Sequence, residues 1–142
     1  MFTHHYTLDY LQQVFQGNDA MVLRILDVFE EEVPKYFEAM EQLGREQRWR
    51  ELHPLAHKAK SSIGMLGMHA LLEKVLLVET LSRSGKDDVA LSMALQAARQ
   101  LLDTGLHVLR KDRRSQTGHG LSKEGQARIA SWSGNRGNLH RA

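Results

Sequence analysis

From Leu8 to Leu109, apolar residues recur every three or four positions along the chain. That spacing matches the 3.6-residue period of an α-helix that buries one side. Alternation with a period of two, which would indicate a half-buried strand, is nearly absent, and there are only two prolines. We therefore predict an all-α fold. The longest stretch of this pattern holds Val22, Ile25, Phe29, Val33, Phe37, Met40 and Leu43, and a shorter first one holds Leu8, Leu11, Val14 and Phe15.

Capping residues and glycines divide the pattern into five predicted helices. Pro34 lies inside the second, where we expect a bend rather than a break. Short connections make consecutive long helices antiparallel, so we expect an antiparallel up-down four-helix bundle with a short additional N-terminal helix. The predicted helices run from Thr7 to Gly17, from Asn18 or Asp19 to Gly44, from Gln47 to Leu66, from Met68 to Ser84, and from Asp87 or Asp88 to about Lys111.

Charge is unevenly distributed along the 142 residues. Six of the 19 Lys and Arg residues, but only one of the 17 Asp and Glu residues, lie after residue 112, which leaves residues 1–112 with a formal charge of −3. Residues 113–142 also hold five of the 11 glycines and few apolar side chains, too few to offset the entropy of ordering. We expect a helical domain over residues 1–112 and a disordered, basic Gly/Ser-rich tail over 113–142. The acidic body argues against nucleic acid as its partner.

The chain contains no cysteine, which excludes disulfides and thiolate metal sites and favours the cytoplasm. No stretch approaches the roughly 18 apolar residues of a transmembrane helix, and the start does not resemble a signal peptide. We expect a cytoplasmic monomer that makes no membrane contact. The sequence has no glycine-rich phosphate loop, so it predicts no ATP-binding or kinase machinery of its own.

One polar cluster falls on the predicted third helix. His57, Lys60, Ser61 and Gly64 stand at spacings of three, four and seven, so they project from one side of that helix. A neutral imidazole is a competent nucleophile near neutral pH and can carry a phosphoryl group. That group brings about 1.5 to 2 negative charges, which a lysine one turn away can partly offset. The same spacing also fits a histidine that merely lies at the edge of an amphipathic helix.

Glu79 follows His57 by 22 residues and falls on the next predicted helix. In an antiparallel helical hairpin that turns at Gly67, these two residues reach about the same level. Glu79 can then accept a hydrogen bond from Nδ1–H of His57 and leave Nε2 as the nucleophile. The alternative for Glu79 is a solvated acid on the outer face of the bundle.

Two other groups of polar residues have simpler explanations. His53 and His57 are one helical turn apart and could bind a metal ion, but there is no HExxH pattern. A third ligand would have to come from Glu79 or from the N-terminal histidines. The acidic run Glu30–Glu32 is expected to face solvent. We expect neither group to be the functional site.

The stretch AHKAKSSIGMLGMHALL, with VE further on, resembles the signature of histidine phosphotransfer (HPt) domains of two-component phosphorelays. That family has a phosphorylated histidine, a lysine three residues later and a glycine next to the lysine. A second glycine, a leucine, and a glutamine or glutamate complete the pattern. Ser61 departs from it, because the family usually has glycine there, and the hydroxymethyl group adds bulk beside the phosphate site. The resemblance covers about residues 5–110, and the matching positions are His57, Lys60, Ser61, Gly67, Leu71 and Glu79.

The resemblance implies that His57 relays a phosphoryl group between the aspartates of receiver domains, with Glu79 orienting its ring and Lys60 offsetting phosphate charge. The implied partners are response-regulator receiver domains, a hybrid sensor kinase, or both. No cofactor is expected on this chain, because Mg²⁺ would be held by the receiver. The alternative is a non-catalytic helical interaction module in which His57 is incidental. The surface expected to meet the partner lies on the exposed side of the third predicted helix, with help from the fourth, and comprises His53, Lys60, Ser61 and Gly64.

Overall fold

A computed structural model describes residues 5–115, and all the regular structure in that range is α-helical. The prediction of an all-α bundle with an additional N-terminal helix is therefore confirmed. Each long helix packs against the next along the chain, and the second also packs against the fifth, which closes a four-helix bundle. The helices are α1 (Asp9–Val14), α2 (Asp19–Arg45), α3 (Trp49–Met65), α4 (His69–Ser84) and α5 (Asp88–Ser115).

Several helix ends follow from the capping residues that the sequence indicated. The Asn18 side chain accepts a hydrogen bond from the backbone N–H of Met21 at 3.0 Å, which caps α2. Asp87 caps the start of α5 by accepting from the N–H of Ala90 at 2.9 Å. Gly85 ends α4 in the left-handed region, with φ of 63°. Neither proline breaks its helix, because α2 is continuous through Pro34 and α3 through Pro54.

Other helix ends differ from the prediction. Leu8 rather than Thr7 is the N-cap of α1, and Val14, predicted to be buried, is exposed. α3 begins at Trp49 instead of Gln47, because Gln47 has a positive φ of 56° that no right-handed helix accommodates. α5 continues to Ser115, three residues beyond the predicted domain boundary. The predicted disorder of the tail concerns residues 116–142, which lie outside the described residues.

The extension of α5 is held by ion pairs with α2. Arg110 Nε lies 3.0 Å from Glu30 Oε1, and Arg113 donates both to Glu30 and, at 2.7 Å, to Asp27. The prediction that the whole acidic run of α2 faces solvent is therefore wrong for Glu30, which is half-buried between two arginines. Periodicity alone did not reveal this pairing, because the partners lie about eighty residues further along the chain.

The segment before α1 crosses one end of the bundle and packs against the turn between α3 and α4. The N–H of Thr7 donates to the carbonyl of Leu66 at 2.8 Å, and the buried hydroxyl of Tyr6 donates to Asp112 at 2.7 Å. Gly67 forms the turn with φ of 60°, and a Cβ there would lie 2.2 Å from Cγ2 of Thr7. Only glycine fits this conformation and this approach. The turn fixes the register of α3 against α4.

The core lies between α2, α3, α4 and α5 and is almost entirely aliphatic and aromatic. α3 contributes a fully buried stripe at spacings of three and four residues, as its periodicity predicted. The side of α3 opposite this stripe is exposed. The stripe consists of Leu52, Ala56, Ala59 and Ile63.

Candidate functional site

His57 stands on the outer side of α3, next to the buried Ala56. Its side chain is 66% exposed, which makes it accessible to a macromolecular partner. The helix beneath it is packed against the core, because Ala56 and Ala59 are fully buried. The structure therefore combines a well-held backbone with a reachable ring.

Glu79 on α4 meets this ring from the side. Its Oε2 atom lies 2.6 Å from Nδ1 of His57, so the 22-residue spacing does bring the two side chains together. Glu79 is only 8% exposed, so the alternative of a solvated acid on the outer face does not apply. A carboxylate can only accept a hydrogen bond, so Nδ1 carries the proton and the neutral ring has its lone pair on Nε2.

Lys60, one turn further along α3, binds the same carboxylate. Its Nζ atom lies 3.1 Å from Oε1 and 3.2 Å from Oε2 of Glu79, and the lysine side chain is 30% exposed. The hydrogen bond from His57, and then the hydrogen bond and charge of Lys60, lower the pKa of Glu79 below its ordinary value, although burial opposes the shift. The carboxylate is therefore ionised at neutral pH and shared between two donors.

His53 lies one turn before His57 and also turns toward α4. Its Nδ1 atom is 2.9 Å from the backbone carbonyl oxygen of Glu79 and 3.2 Å from Oγ of Ser82. The buried Ser82 hydroxyl donates to the same carbonyl at 3.0 Å. Of the residues predicted to face a partner, His53 and Lys60 thus both bind Glu79 of α4. Sequence reasoning missed Ser82, whose only signal was its position three residues after Glu79.

Ser61 and Gly64 are exposed, as expected for a surface that meets a partner. A Cβ placed on Gly64 would touch nothing within 4 Å. His57, Ser61 and Met65 follow one another at intervals of four residues, so they form a line along α3. At Met65 this line reaches a groove between α2 and α3, with a volume of about 180 Å³, which we call the apolar groove. Its lining is largely apolar and includes Met21, Ile25, Val28, Phe29, Ser62 and Met65.

The sequence did not predict this groove. The indication in the sequence was that Met21 and Val28 are apolar residues of α2 that lie beside its buried stripe. In the structure both are exposed. Their position relative to α3 depends on how the two helices pack. That packing is not visible in the periodicity of either helix.

The metal-site alternative finds no support in the geometry. Within residues 5–115, no group of three or more His, Asp and Glu side chains is arranged to hold a metal ion. Nδ1 of His53 and Nδ1 of His57 bind different atoms of Glu79, the carbonyl and the carboxylate.

Within residues 5–115, no helix is both long enough and apolar enough to cross a membrane.

A histidine held by a carboxylate on the surface of an antiparallel helical bundle is the arrangement expected of a phosphoryl-carrier domain. The model of the Hpt domain family matches residues 24–112, from the second turn of α2 to the last turn of α5. The chain therefore belongs to the Hpt domain family, and its general role is histidine phosphotransfer in two-component signalling. A search of curated proteins found no match, and neither did a search of solved structures.

Proposed function

We propose that His57 is the phospho-acceptor and that it relays a phosphoryl group between the aspartates of receiver domains. The observation that carries this proposal is that the exposed ring of His57 donates a 2.6 Å hydrogen bond from Nδ1 to Glu79. It selects the tautomer in which Nε2 is nucleophilic. Family membership supports receiver domains and sensor kinases as the class of partner.

In the proposed step, the lone pair of Nε2 attacks the phosphorus of an aspartyl phosphate. The P–N bond forms, the P–O bond to the aspartate breaks, and the aspartate leaves as a carboxylate. The ring becomes a phosphorylated imidazolium with its proton still on Nδ1, so its attraction to the Glu79 carboxylate increases. Transfer to the next aspartate reverses the step. Mg²⁺, held by the acids of the receiver, would screen the phosphoryl charge, and no cofactor is assigned to this chain.

Lys60 has a second role in this proposal. Before transfer it neutralises part of the charge of Glu79, at 3.1 Å. Once the ring carries a phosphoryl group, the flexible ammonium group can interact with both the phosphoryl oxygens and the carboxylate. Lys60 therefore offsets negative charge in both states.

We further propose that the receiver covers the exposed side of α3 and extends toward α2. The line from His57 through Ser61 to Met65 joins the phospho-acceptor to the apolar groove. Small exposed side chains on α3 allow a close approach, and the groove offers apolar area to bury. This surface retains the predicted Ser61 and Gly64 and adds the α2 side, in place of the contribution from α4 that the sequence predicted.

The test is phosphoryl transfer from a labelled phospho-receiver to the full chain. Acid-labile, base-stable label should appear on the wild-type protein and disappear in His57→Gln. His107→Gln, which removes another exposed histidine from α5, is the matched control and should be labelled normally. Label that persists in His57→Gln would refute the assignment. Receiver binding without any transfer, and equally tight in His57→Gln, would favour the interaction module instead.

A further inference from the structure

His53 and His57 bind the same residue of α4 at two different points. Nδ1 of His57 donates to the carboxylate of Glu79 at 2.6 Å, and Nδ1 of His53 lies 2.9 Å from its backbone carbonyl oxygen. The two histidines are one turn apart on α3, so they contact α4 as a pair. Ser82 adds a third contact by donating to the same carbonyl at 3.0 Å.

We propose that His53 is a positioning residue, which holds the backbone of Glu79 so that its carboxylate selects the Nδ1–H tautomer of His57. The expected effect of His53 on the transfer rate rests on the proposed function, whereas its effect on the tautomer of the His57 ring does not. The turn at Gly67 fixes the register of α3 against α4, but a carboxylate reaches its partner through flexible torsions, so register alone does not fix where Oε2 of Glu79 lies. A bond from His53 to the backbone carbonyl of Glu79 fixes the point from which that side chain extends.

Two properties of His53 suit this role. The ring is half-buried, so neighbouring side chains limit its orientation, and a carbonyl acceptor requires a protonated Nδ1. The carbonyl of Glu79 also receives a hydrogen bond from the Ser82 hydroxyl, which lies 3.2 Å from the His53 ring. The backbone of Glu79 is thus held from α3 and from α4 itself. A residue that served only to contact a partner would not need these bonds.

Three variants of the full chain test this role. His53→Asn keeps a donor nitrogen close to the position of Nδ1, whereas His53→Leu has a similar volume and no donor. His53→Gln keeps a donor but places it one bond further out. The readout is the ¹⁵N chemical shifts of the His57 ring, which report the ratio of its two neutral tautomers. This readout requires no phosphoryl transfer and would not respond to a merely structural role.

We expect His53→Leu to shift the His57 tautomer ratio by about two- to tenfold, the range of one neutral hydrogen bond, and to slow transfer by a similar factor. His53→Asn should keep the tautomer ratio and the transfer rate close to those of wild type. If Leu at position 53 prevents folding, His53→Gln takes its place and should also lose the tautomer preference. An unchanged tautomer ratio in the folded Leu or Gln variant would overturn the inference. If His57→Gln were still labelled, the proposed function would fail while the tautomer measurement kept its meaning.

Discussion

The carboxylate of Glu79 serves as a hydrogen-bond acceptor for His57 and as a negative charge for Lys60, and the two roles can be separated by substitution. Glu79→Gln keeps an acceptor oxygen at nearly the same place and removes the charge. Glu79→Leu removes both. We predict that Gln lowers the stability of the fold but largely preserves phosphoryl transfer, whereas Leu impairs transfer. The matching family position holds either glutamine or glutamate, which agrees with the acceptor as the essential feature.

The expected loss of stability follows from the exposure of the two donors. Hydrogen bonds to a charged group contribute about 1.5–3 kcal/mol each, against about 0.5–1.5 kcal/mol for neutral ones. The His57 side chain is 66% exposed and Lys60 is 30% exposed, so solvent reduces both contributions. We therefore expect Glu79→Gln to lower the free energy of unfolding by about 1–2 kcal/mol at neutral pH.

The difference between wild type and Glu79→Gln should depend on pH with a defined sign. The folded protein holds the pKa of Glu79 below the ordinary value of 4.5. The charged carboxylate therefore stabilises the fold fully above the unfolded-state pKa, and this contribution disappears as the pH falls through the folded-state pKa. Urea unfolding should show the full difference at neutral pH and a smaller one well below 4.5.

Transfer kinetics complete the experiment. Loss of a charge-assisted acceptor worth about 1.5–3 kcal/mol corresponds to a roughly 10- to 100-fold slower transfer in Glu79→Leu, whereas Glu79→Gln should stay within about tenfold of wild type. Transfer in Glu79→Leu as fast as in wild type would refute a role for Glu79 in orienting the ring. Transfer in Glu79→Gln as slow as in Glu79→Leu would show that the charge, and not the acceptor, is what matters.

Two further predictions concern Lys60 and the α3–α4 turn. Lys60→Ala should slow transfer by about three- to tenfold and change the unfolding free energy by less than about 1 kcal/mol, because the lysine acts electrostatically at a partly exposed site. The control is Lys74→Ala, which removes an exposed lysine of α4. Equal transfer rates in the two variants would contradict the role of Lys60. Gly67→Ala should cost about 2–4 kcal/mol in urea unfolding, from a positive φ and a Cβ that overlaps Thr7. Gly64→Ala, whose Cβ meets nothing, should change stability by no more than about 1 kcal/mol, and an equal loss in both would disprove this account of the turn.

The relation of His57 to Glu79 could be predicted because it depends on local rules alone. Helical period, a glycine at the turn and antiparallel packing together determine which residues of a hairpin share a level. The orientation of His53 could not be predicted in the same way. The period placed it on the side of α3 that carries His57, but the direction of its ring depends on a carbonyl and a hydroxyl of α4. The apolar groove escaped prediction for the same reason, because it is a property of two packed helices.

Two glycines, Gly64 in α3 and Gly67 at its end, show what the structure adds to the sequence pattern. Gly67 is required by the fold, because a side chain there would overlap Thr7 and the backbone lies in the left-handed region. Gly64 is not required by the fold, since it is helical and its missing side chain leaves open space. The absence of a side chain at Gly64 therefore matters only to a molecule that approaches α3 from outside. Ser61 belongs to the same exposed side. On the proposed docking surface, its hydroxymethyl group, where the family usually has glycine, would constrain the partner and not the bundle.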